Sequence, residues 1–202
     1  KGATDFPEAR AFMKSLGSGA AVMVKAVSGG GGRGMRPVSN LANLEEMMAR
    51  CQSEAAATFG DSTVYVERLV PSARHIEVQV AGDASGHVLV LGDRDCSLQR
   101  RRQKIVEVAP APGLTKAQRD VLAAHSIALA KAVVYQGLGT VEFLLGADGS
   151  LAFIEFNARL QVEHTVTEAV TGLDLVRLQF DIANGASLTD FEVPVARGLA
   201  IQ

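Results

Sequence analysis

The sequence predicts a mixed α+β fold built on antiparallel strand pairs, and three observations carry that prediction. Helix-like and strand-like segments do not follow the regular β-α-β-α alternation that a doubly wound parallel sheet requires. Asp148-Gly149, a strong two-residue turn signal, separates two apolar runs and reads as a hairpin. Thr115 and Gln118 form a capping box that opens a long helix between strand-like segments. The 202 residues, 48% hydrophobic and 21% charged, suit one large globular domain or two small ones. Twenty basic and 22 acidic side chains give a net charge of −2, which argues against a nucleic-acid binder. No apolar run approaches the ~20 residues that cross a bilayer, so no membrane partner is expected. The opening, Lys1 to Gly17, is mixed polar and does not read as a signal peptide. Cys51 and Cys96 lie far apart and suggest neither a disulfide framework nor a zinc cluster, so a reducing cytoplasm is expected.

The elements follow in order. Asp5-Phe6-Pro7-Glu8 starts a helix that runs to Ser15-Leu16 and stops at Gly17. Ala21 to Ala26 is a short apolar strand carrying one lysine, Lys25, and Met35 to Val38 returns as strand after a glycine loop. Asn40 caps a helix whose apolar residues Leu41, Leu44, Met48, Cys51 and Ala55 form one stripe, closed by Gly60. Val64 to Val70, Arg74 to Ala81 and His87 to Leu91 read as three strands, the second alternating between apolar and polar residues. The helix from Thr115 is expected to reach Tyr135 and end at Gly137. Its wide apolar set (Val121, Leu122, Ile127, Leu129, Val133, Val134) is expected to lie against a sheet. Thr140 to Leu145 and Leu151 to Asn157 make the hairpin, and Glu168 to Asn184 holds helical turns broken at Gly172.

That hairpin aligns two carboxylates. If Asp148-Gly149 is the turn, Glu142 stands directly opposite Glu155, and Thr140 opposite Asn157. Like charges facing each other across a sheet are destabilising unless something neutralises them. Two carboxylates, the Asn157 amide oxygen and substrate phosphates would suit Mg²⁺. Two exposed glutamates on a half-wet strand would fit the same spacing, and a three-residue turn would slip the register. Beyond the hairpin, Glu155, Asn157, Arg159, Gln161 and Glu163 fall on one parity. An extended segment would therefore present them on one face, with Glu163 as a general base and Arg159 as a fixed cation.

Ser28 to Gly34 satisfies G-x-G-x-x-G literally, but Met35-Arg36-Pro37-Val38 is strand-like, so no helix begins where a dinucleotide site needs one. Two readings stand: a hairpin lid whose backbone N–H groups close over phosphates, with Lys25 nearby, or a plain surface loop. Lys25 favours the first, because a lysine in an apolar strand needs an anionic partner. The stretch from Arg94-Asp95-Cys96-Ser97 through Gln99 to Lys104 would suit a solvated basic run or a weak nucleic-acid patch, but it lacks interleaved aromatic residues and fits a cationic wall for phosphate or bicarbonate better.

With these residues in view, the chain resembles biotin carboxylase, the ATP-grasp component of biotin-dependent carboxylases. The resemblance rests on Lys25 with the glycine loop, Glu67, Arg74-His75-Ile76-Glu77, Arg94 to Arg101, Gln103-Lys104, Glu107 to Pro112, and Glu155 to His164. It implies an ATP-grasp fold, with residues 1–70 as a lid subdomain and 71–202 as part of a catalytic subdomain. ATP would be held by Lys25, Gly30, Gly31 and Gly32, with His75 and Gln99 nearby and the adenine along Glu67, Arg68 and Val70. Mg²⁺ (or Mn²⁺) would bind Glu142 and Glu155 beside Asn157. Lys104, Arg159, Gln161 and Val162 would surround bicarbonate, and Glu163 would deprotonate it. The product would be carboxylated biotin, with a biotin carboxyl carrier domain and a carboxyltransferase as partners, in a homo-oligomer.

The sequence departs from the family at Arg102, where histidine is usual, at Ser28 in place of a glycine, and at Thr165 in place of a proline. The family's chains are more than twice as long. The 202 residues are therefore expected to be a piece that lacks an N-terminal domain and a later catalytic arginine, and to be incomplete for catalysis alone.

Overall fold

Asp5 accepts from the Glu8 backbone N–H and Glu8 reaches back to Asp5, so the first helix, α1 (Phe6–Ser15), begins with the capping box and the early proline that its sequence calls for. Strand β1 (Val22–Ala26) is buried along its whole length and lies between β2 (Met35–Val38) and β3 (Val64–Arg68), antiparallel to both. Asn40 caps a single 3₁₀ turn, Leu41–Asn43, and α2 (Leu44–Phe59) follows it, ending at left-handed Gly60. Leu44, Met48, Cys51 and Ala55 are the buried stripe, and with Ala9 and Met13 of α1 they cover Val22, Val24, Val64 and Val66. The computed structural model describes residues 3–29 and 33–202; Gly30, Gly31 and Gly32 of the glycine loop lie outside the described residues. These elements make one of two units, Lys1–Pro71 with Arg101–Gln103.

The second unit, Ser72–Arg100 with Lys104–Gln202, is built on a six-stranded sheet. Its strands are β4 (Arg74–Gly82), β5 (Val88–Arg100), β6 (Gln103–Ala109), β7 (Gly137–Leu145), β8 (Leu151–Asn157) and β9 (Ala200–Ile201). They are ordered β8-β7-β4-β5-β6-β9. The helices are α3 (Lys116–Ala132), α4 (His164–Thr171) and α5 (Leu175–Ala183). One sheet face packs Ile76, Val78, Val80, Val141 and Phe143 against Leu122 and Ala130 of α3. The other face is split along its strands. One end is apolar, with Ala81, Leu91 and Leu138 against Leu175, Leu178 and Ile182 of α5. The opposite end is polar, and the candidate site lies there.

Several elements differ from the sequence reading, each for a physical reason. Val64 to Val70 is strand only to Arg68. Strand β4 does not alternate between core and water; from Ile76 to Gly82 every residue is buried, because both faces of this central strand are covered. Strand β5 runs to Arg100, well past Leu91, and pairs with β6, so the basic run is a hairpin. Its tip, Arg101-Arg102, has two consecutive left-handed residues (φ 51° and 66°), a conformation normally signalled by Asn-Gly. Helix α3 stops at Ala132, leaving Val133 and Val134 65% exposed, and Gly137 begins β7. The buried stripe is the narrower Leu122, Ser126, Ala130, and Val121 faces out. Among the described residues no helix is long and apolar enough to cross a membrane.

The hairpin contains a compensation. Gly146 N–H donates to Ser150 O at 2.8 Å, so the loop is longer than two residues, and Phe143 pairs with Phe153 and Leu145 with Leu151. A bulge at Glu142/Phe143 takes up the extra residue, and Glu142 faces Glu155 and Thr140 faces Asn157 as the sequence predicts.

Candidate functional site

One row of residues crosses four strands at the polar end of the sheet. Glu77 of β4 pairs with Arg94 of β5 on one side and with Glu142 of β7 on the other, and Glu142 pairs with Glu155 of β8. The next row on the same face runs Gln79, Thr140, Asn157. Glu77 is fully buried and Glu142 is 4% exposed, so their charges must be compensated locally.

Two cations do this. Arg94, also fully buried, donates to Glu77 Oε2 from Nε at 3.2 Å and from Nη2 at 3.1 Å. Lys104 reaches up from the base of β6. Its Nζ lies 2.9 Å from Glu142 Oε1 and 2.8 Å from Glu163 Oε1, and pairs with Glu77 Oε1 as well. Burial works against the ammonium, but Glu77 and Glu142 outweigh it and hold Lys104 protonated well above the ordinary lysine range. Burial likewise opposes the Glu142 carboxylate, yet the His75 hydrogen bond and the Lys104 charge pull its pKa down to about 2. Glu163 follows the same pattern: desolvation opposes its charge and the Lys104 hydrogen bond lowers its pKa. Cys96 goes the other way, because burial and the Glu77 charge keep its thiol neutral.

Polar side chains complete the cluster. Gln161 Nε2 and Asn157 Nδ2 both donate to Glu142 Oε1, at 3.0 and 2.9 Å. Asn157 Nδ2 also donates to Glu155 Oε1 at 3.1 Å, tying the two carboxylates together. His75 Nε2 lies 2.8 Å from Glu142 Oε2, and Gln99 Nε2 lies 3.0 Å from His75 Nδ1. Gln99 also donates to the Cys96 carbonyl. With Gln99 donating to Nδ1, the His75 proton sits on Nε2, facing Glu142.

The donor set suits a divalent cation. Glu77, Glu142, Glu155 and Glu163 face two permanent cations, Arg94 and Lys104, which leaves two negative charges. Glu142 is buried and Glu155 is exposed, so one carboxylate is fixed while the other is open to solvent and to a ligand. All-oxygen donors with that residual charge fit a hard cation such as Mg²⁺. Asn157 holds the pair through its nitrogen; as a ligand it would present its carbonyl oxygen instead.

Residues 2–191 match the family model described as carbamoyl-phosphate synthase L chain, ATP binding domain. The chain belongs to this family. It is 51% identical over 190 residues to pyruvate carboxylase 1 of Caenorhabditis elegans, and 50% identical over 187 residues to the mitochondrial pyruvate carboxylase of Homo sapiens. These matches cover 94% and 93% of the chain and 16% of each relative, so the chain spans about a sixth of the length of the curated relatives it matches. Among solved structures it superposes on a Campylobacter jejuni biotin carboxylase–ATP complex with a TM-score of 0.94 at 43% identity. It also superposes on the biotin carboxylase domain of Hydrogenobacter thermophilus 2-oxoglutarate carboxylase, with a TM-score of 0.92 at 41% identity, a structure holding MgADP and bicarbonate. Each superposition covers 99% of this chain and 44% of the other. The fold is the ATP-grasp fold of biotin carboxylase structures.

Within this ATP-grasp chain the second unit gathers His75, Gln99, Lys104, Glu142, Asn157, Gln161 and Glu163 into one connected network, with Glu155 joined through Asn157. Arg159 and Val162 stand apart from it. Strand β8 ends at Asn157, and the predicted extended face does not persist through residues 158–163. Leu160 turns into the apolar cluster, Gln161 and Glu163 are buried, and Val162 is 78% exposed. Arg159 is exposed, and among the described residues its guanidinium donates to the Leu160 carbonyl, at 3.4 Å. In the first unit Lys25, 8% exposed, pairs with Glu67, the anionic partner that its burial requires. Arg68 is exposed and Val70 half-buried. Arg102, where the resemblance leads to the expectation of histidine, donates from Nη1 to the Met35 carbonyl at 2.8 Å.

Sequence reasoning gave no site role to Glu77 or Gln79, and took Arg94 only as the start of a cationic stretch. Glu77 and Gln79 alternate with Ile76, Val78 and Val80, which resembles an ordinary half-wet strand. The usable signal was the register. Extending the Glu142–Glu155 pairing across the sheet places Glu77 and then Arg94 in the same row.

Proposed function

We propose that this chain forms part of the ATP-grasp module of a biotin-dependent carboxylase, in which Mg–ATP and bicarbonate are used to carboxylate biotin. The observation that carries the reading is the Lys104 ammonium, held at hydrogen-bond distance from both Glu163 and Glu142, with the buried Gln161 amide on the same Glu142 oxygen. A cation and an amide donor beside an ionised carboxylate make a pocket for a small anion that must lose a proton. The similarity to a carboxylase domain holding MgADP and bicarbonate supports this choice of anion.

The residues divide the work. Lys104 and Gln161 receive bicarbonate and Glu163 takes its proton; Arg159 and Val162, the other residues expected around the anion, lie outside this network. A bicarbonate oxygen then forms a bond to the γ-phosphorus while the bond to the ADP oxygen breaks, giving carboxyphosphate and ADP. Loss of phosphate yields CO₂ for the ureido nitrogen of biotin. Most of the rate enhancement comes from positioning and from fixed charge. Glu142 and Glu155, with Asn157 beside them, would hold Mg²⁺, which supplies charge neutralisation at the phosphates. Lys25, Gly30, Gly31, Gly32, Glu67, Arg68, Val70, His75 and Gln99 would receive the nucleotide, with residues 1–70 as the lid and 71–202 as the catalytic part. A biotin carboxyl carrier domain and a carboxyltransferase would be the partners, in a homo-oligomer. The two buried free cysteines support a reducing compartment, the cytoplasm in this reading, although the human relative is named as mitochondrial.

The test is phosphate release by the purified carboxylase that carries this chain, with bicarbonate and biotin varied separately. Dependence of ATP hydrolysis on bicarbonate, stimulated by biotin, is the expected result. Release driven by ammonia and indifferent to biotin would replace the reading with a carbamoyl-phosphate synthase type of ligase, which the family model's description also covers. Absence of Mg–ATP binding by calorimetry would leave a catalytically silent module.

A further inference from the structure

We propose that Arg94, which reaches no solvent and no reacting atom, is the positioning residue that fixes which end of the Gln161 amide faces the anion pocket. The proposal rests on the bicarbonate reading above.

The guanidinium is fully buried and spends its donors on five side chains. Nε and Nη2 hold Glu77 Oε2, and Nη1 donates to Gln79 Oε1 at 2.9 Å and Thr167 Oγ1 at 3.0 Å. Nη2 also reaches Thr140 Oγ1 at 3.3 Å and Gln161 Oε1 at 3.4 Å. Arginine carries donors and no acceptor, so only an oxygen can face it. Both glutamines touching Arg94 therefore turn Oε1 towards it. Gln79 then sends Nε2 to the Gly139 carbonyl at 2.9 Å, and Gln161 sends Nε2 to Glu142 Oε1 at 3.0 Å.

The consequence is a polarity set from behind. With the Arg94 fork in place, the end of Gln161 that faces Glu142 is a donor, suited to an anion beside Lys104. An unconstrained amide could flip and present an oxygen there, which would repel an anion. Arg94 also holds Glu77 by Oε2 while Oε1 pairs with Lys104, a charge pairing that a lysine at position 94 retains. Lysine at position 94 would keep the charge but lose the planar fork that reaches five partners at once.

The test is steady-state kinetics of the purified carboxylase carrying Arg94→Lys. Because the loss falls on one hydrogen bond that acts on the anion, KM for bicarbonate is expected to rise about tenfold or more, with KM for ATP within about twofold. The decisive arm is a cycle with Gln161→Ala. If Arg94 acts through Gln161, the effect of Arg94→Lys on bicarbonate KM should shrink to within about twofold in the Gln161→Ala background. An equal rise in both KM values, or an undiminished Arg94→Lys effect in that background, overturns the proposal and leaves Arg94 structural. If Arg94→Lys does not fold, Thr140→Val takes its place in the cycle, because Thr140 shares Nη2 with Gln161. Coupling in bicarbonate KM is again expected, and additivity overturns the proposal. A wild-type enzyme without bicarbonate-dependent hydrolysis would instead remove the functional reading beneath it.

Discussion

Each unit holds a lysine against its sheet, and the two lysines are solved differently. Lys25 in the first unit is 8% exposed and among the described residues pairs with one carboxylate, Glu67, whose side chain is 37% exposed. Lys104 in the second unit has three carboxylate partners, and the side chains of Glu77, Glu142 and Glu163 are 0%, 5% and 9% exposed. Burial of the cation is similar in kind; burial of its counter-ions is not. If Lys25 is removed, water can solvate Glu67. If Lys104 is removed, three carboxylates remain where water hardly reaches them. The difference separates a pair that can open for a ligand from a network that must stay shut to keep its geometry.

The sharpest way to break this comparison is Lys104→Met. Stripping one partner from a buried ionic network costs about 3–5 kcal/mol, and denaturant unfolding should show a loss of that size together with loss of bicarbonate-dependent phosphate release. A drop below about 1 kcal/mol would mean that the carboxylates find protons or water without Lys104, and the contrast with Lys25 would vanish. Lys25→Met is the matched arm. Since Glu67 is more than a third exposed, its loss of a partner should cost about 1 kcal/mol or less in the same unfolding measurement.

Two aspartates repeat the contrast at smaller scale. Asp61 in the first unit accepts from Thr63 N and Oγ1 and from Ser28 Oγ, at 2.9, 2.6 and 2.9 Å. Asp83 in the second accepts from Ser85 N and Oγ and from His87 N. It also accepts from Leu188 N at 2.7 Å, 105 residues away. Hydrogen bonds lower both pKa values below the ordinary aspartate range, from Thr63 above all for Asp61 and from the Leu188 N–H above all for Asp83. A folded-state pKa below the unfolded one gives stability that is present above the usual carboxylate range and lost as pH falls through it. Asp83→Asn should therefore lower Tm at neutral pH and converge on the wild type in acid, with Asp61→Asn showing the same trend more weakly. A pH-independent gap for Asp83→Asn would assign its effect to packing instead of charge.

The sequence reveals the two units unequally. In the first, the capping box at Asp5, the stripe of α2 and the apolar β1 are all local patterns, and they appear where periodicity places them. In the second, the Glu142–Glu155 pairing was legible only because a bulge cancelled the extra residue in the turn. The β5–β6 hairpin was not legible, because its left-handed tip is built from two arginines, residue types that do not signal a turn. The places of Arg94 and Glu77 in one buried row were hidden for another reason. Their roles come from register between strands far apart in sequence, and a strand with charged residues every second position reads locally as half-exposed.

The smallest expected effect lies at the helix ends. Helix α2 passes into a left-handed glycine, Gly60 (φ 75°), while α3 ends with Val134 in the same region (φ 48°). The α3 terminus makes the matching backbone bonds, Val134 N–H to Lys131 O at 3.1 Å and Tyr135 N–H to Ala130 O at 2.9 Å, so the geometry asks for glycine and holds a β-branched residue. A left-handed L-residue costs about 1–2 kcal/mol, and glycine gives back about 0.5–1 kcal/mol through its freer unfolded chain. Val134 is 65% exposed and has little packing to lose. Val134→Gly should thus stabilise the second unit by roughly 0.5–1 kcal/mol, a rise of about 1–3 °C in Tm by calorimetry. Gly60→Ala should move the first unit in the opposite direction by about 1 kcal/mol, since alanine must then adopt the left-handed turn. A fall in Tm for Val134→Gly would show that the exposed valines at this helix end make contacts in solution that outweigh the strain.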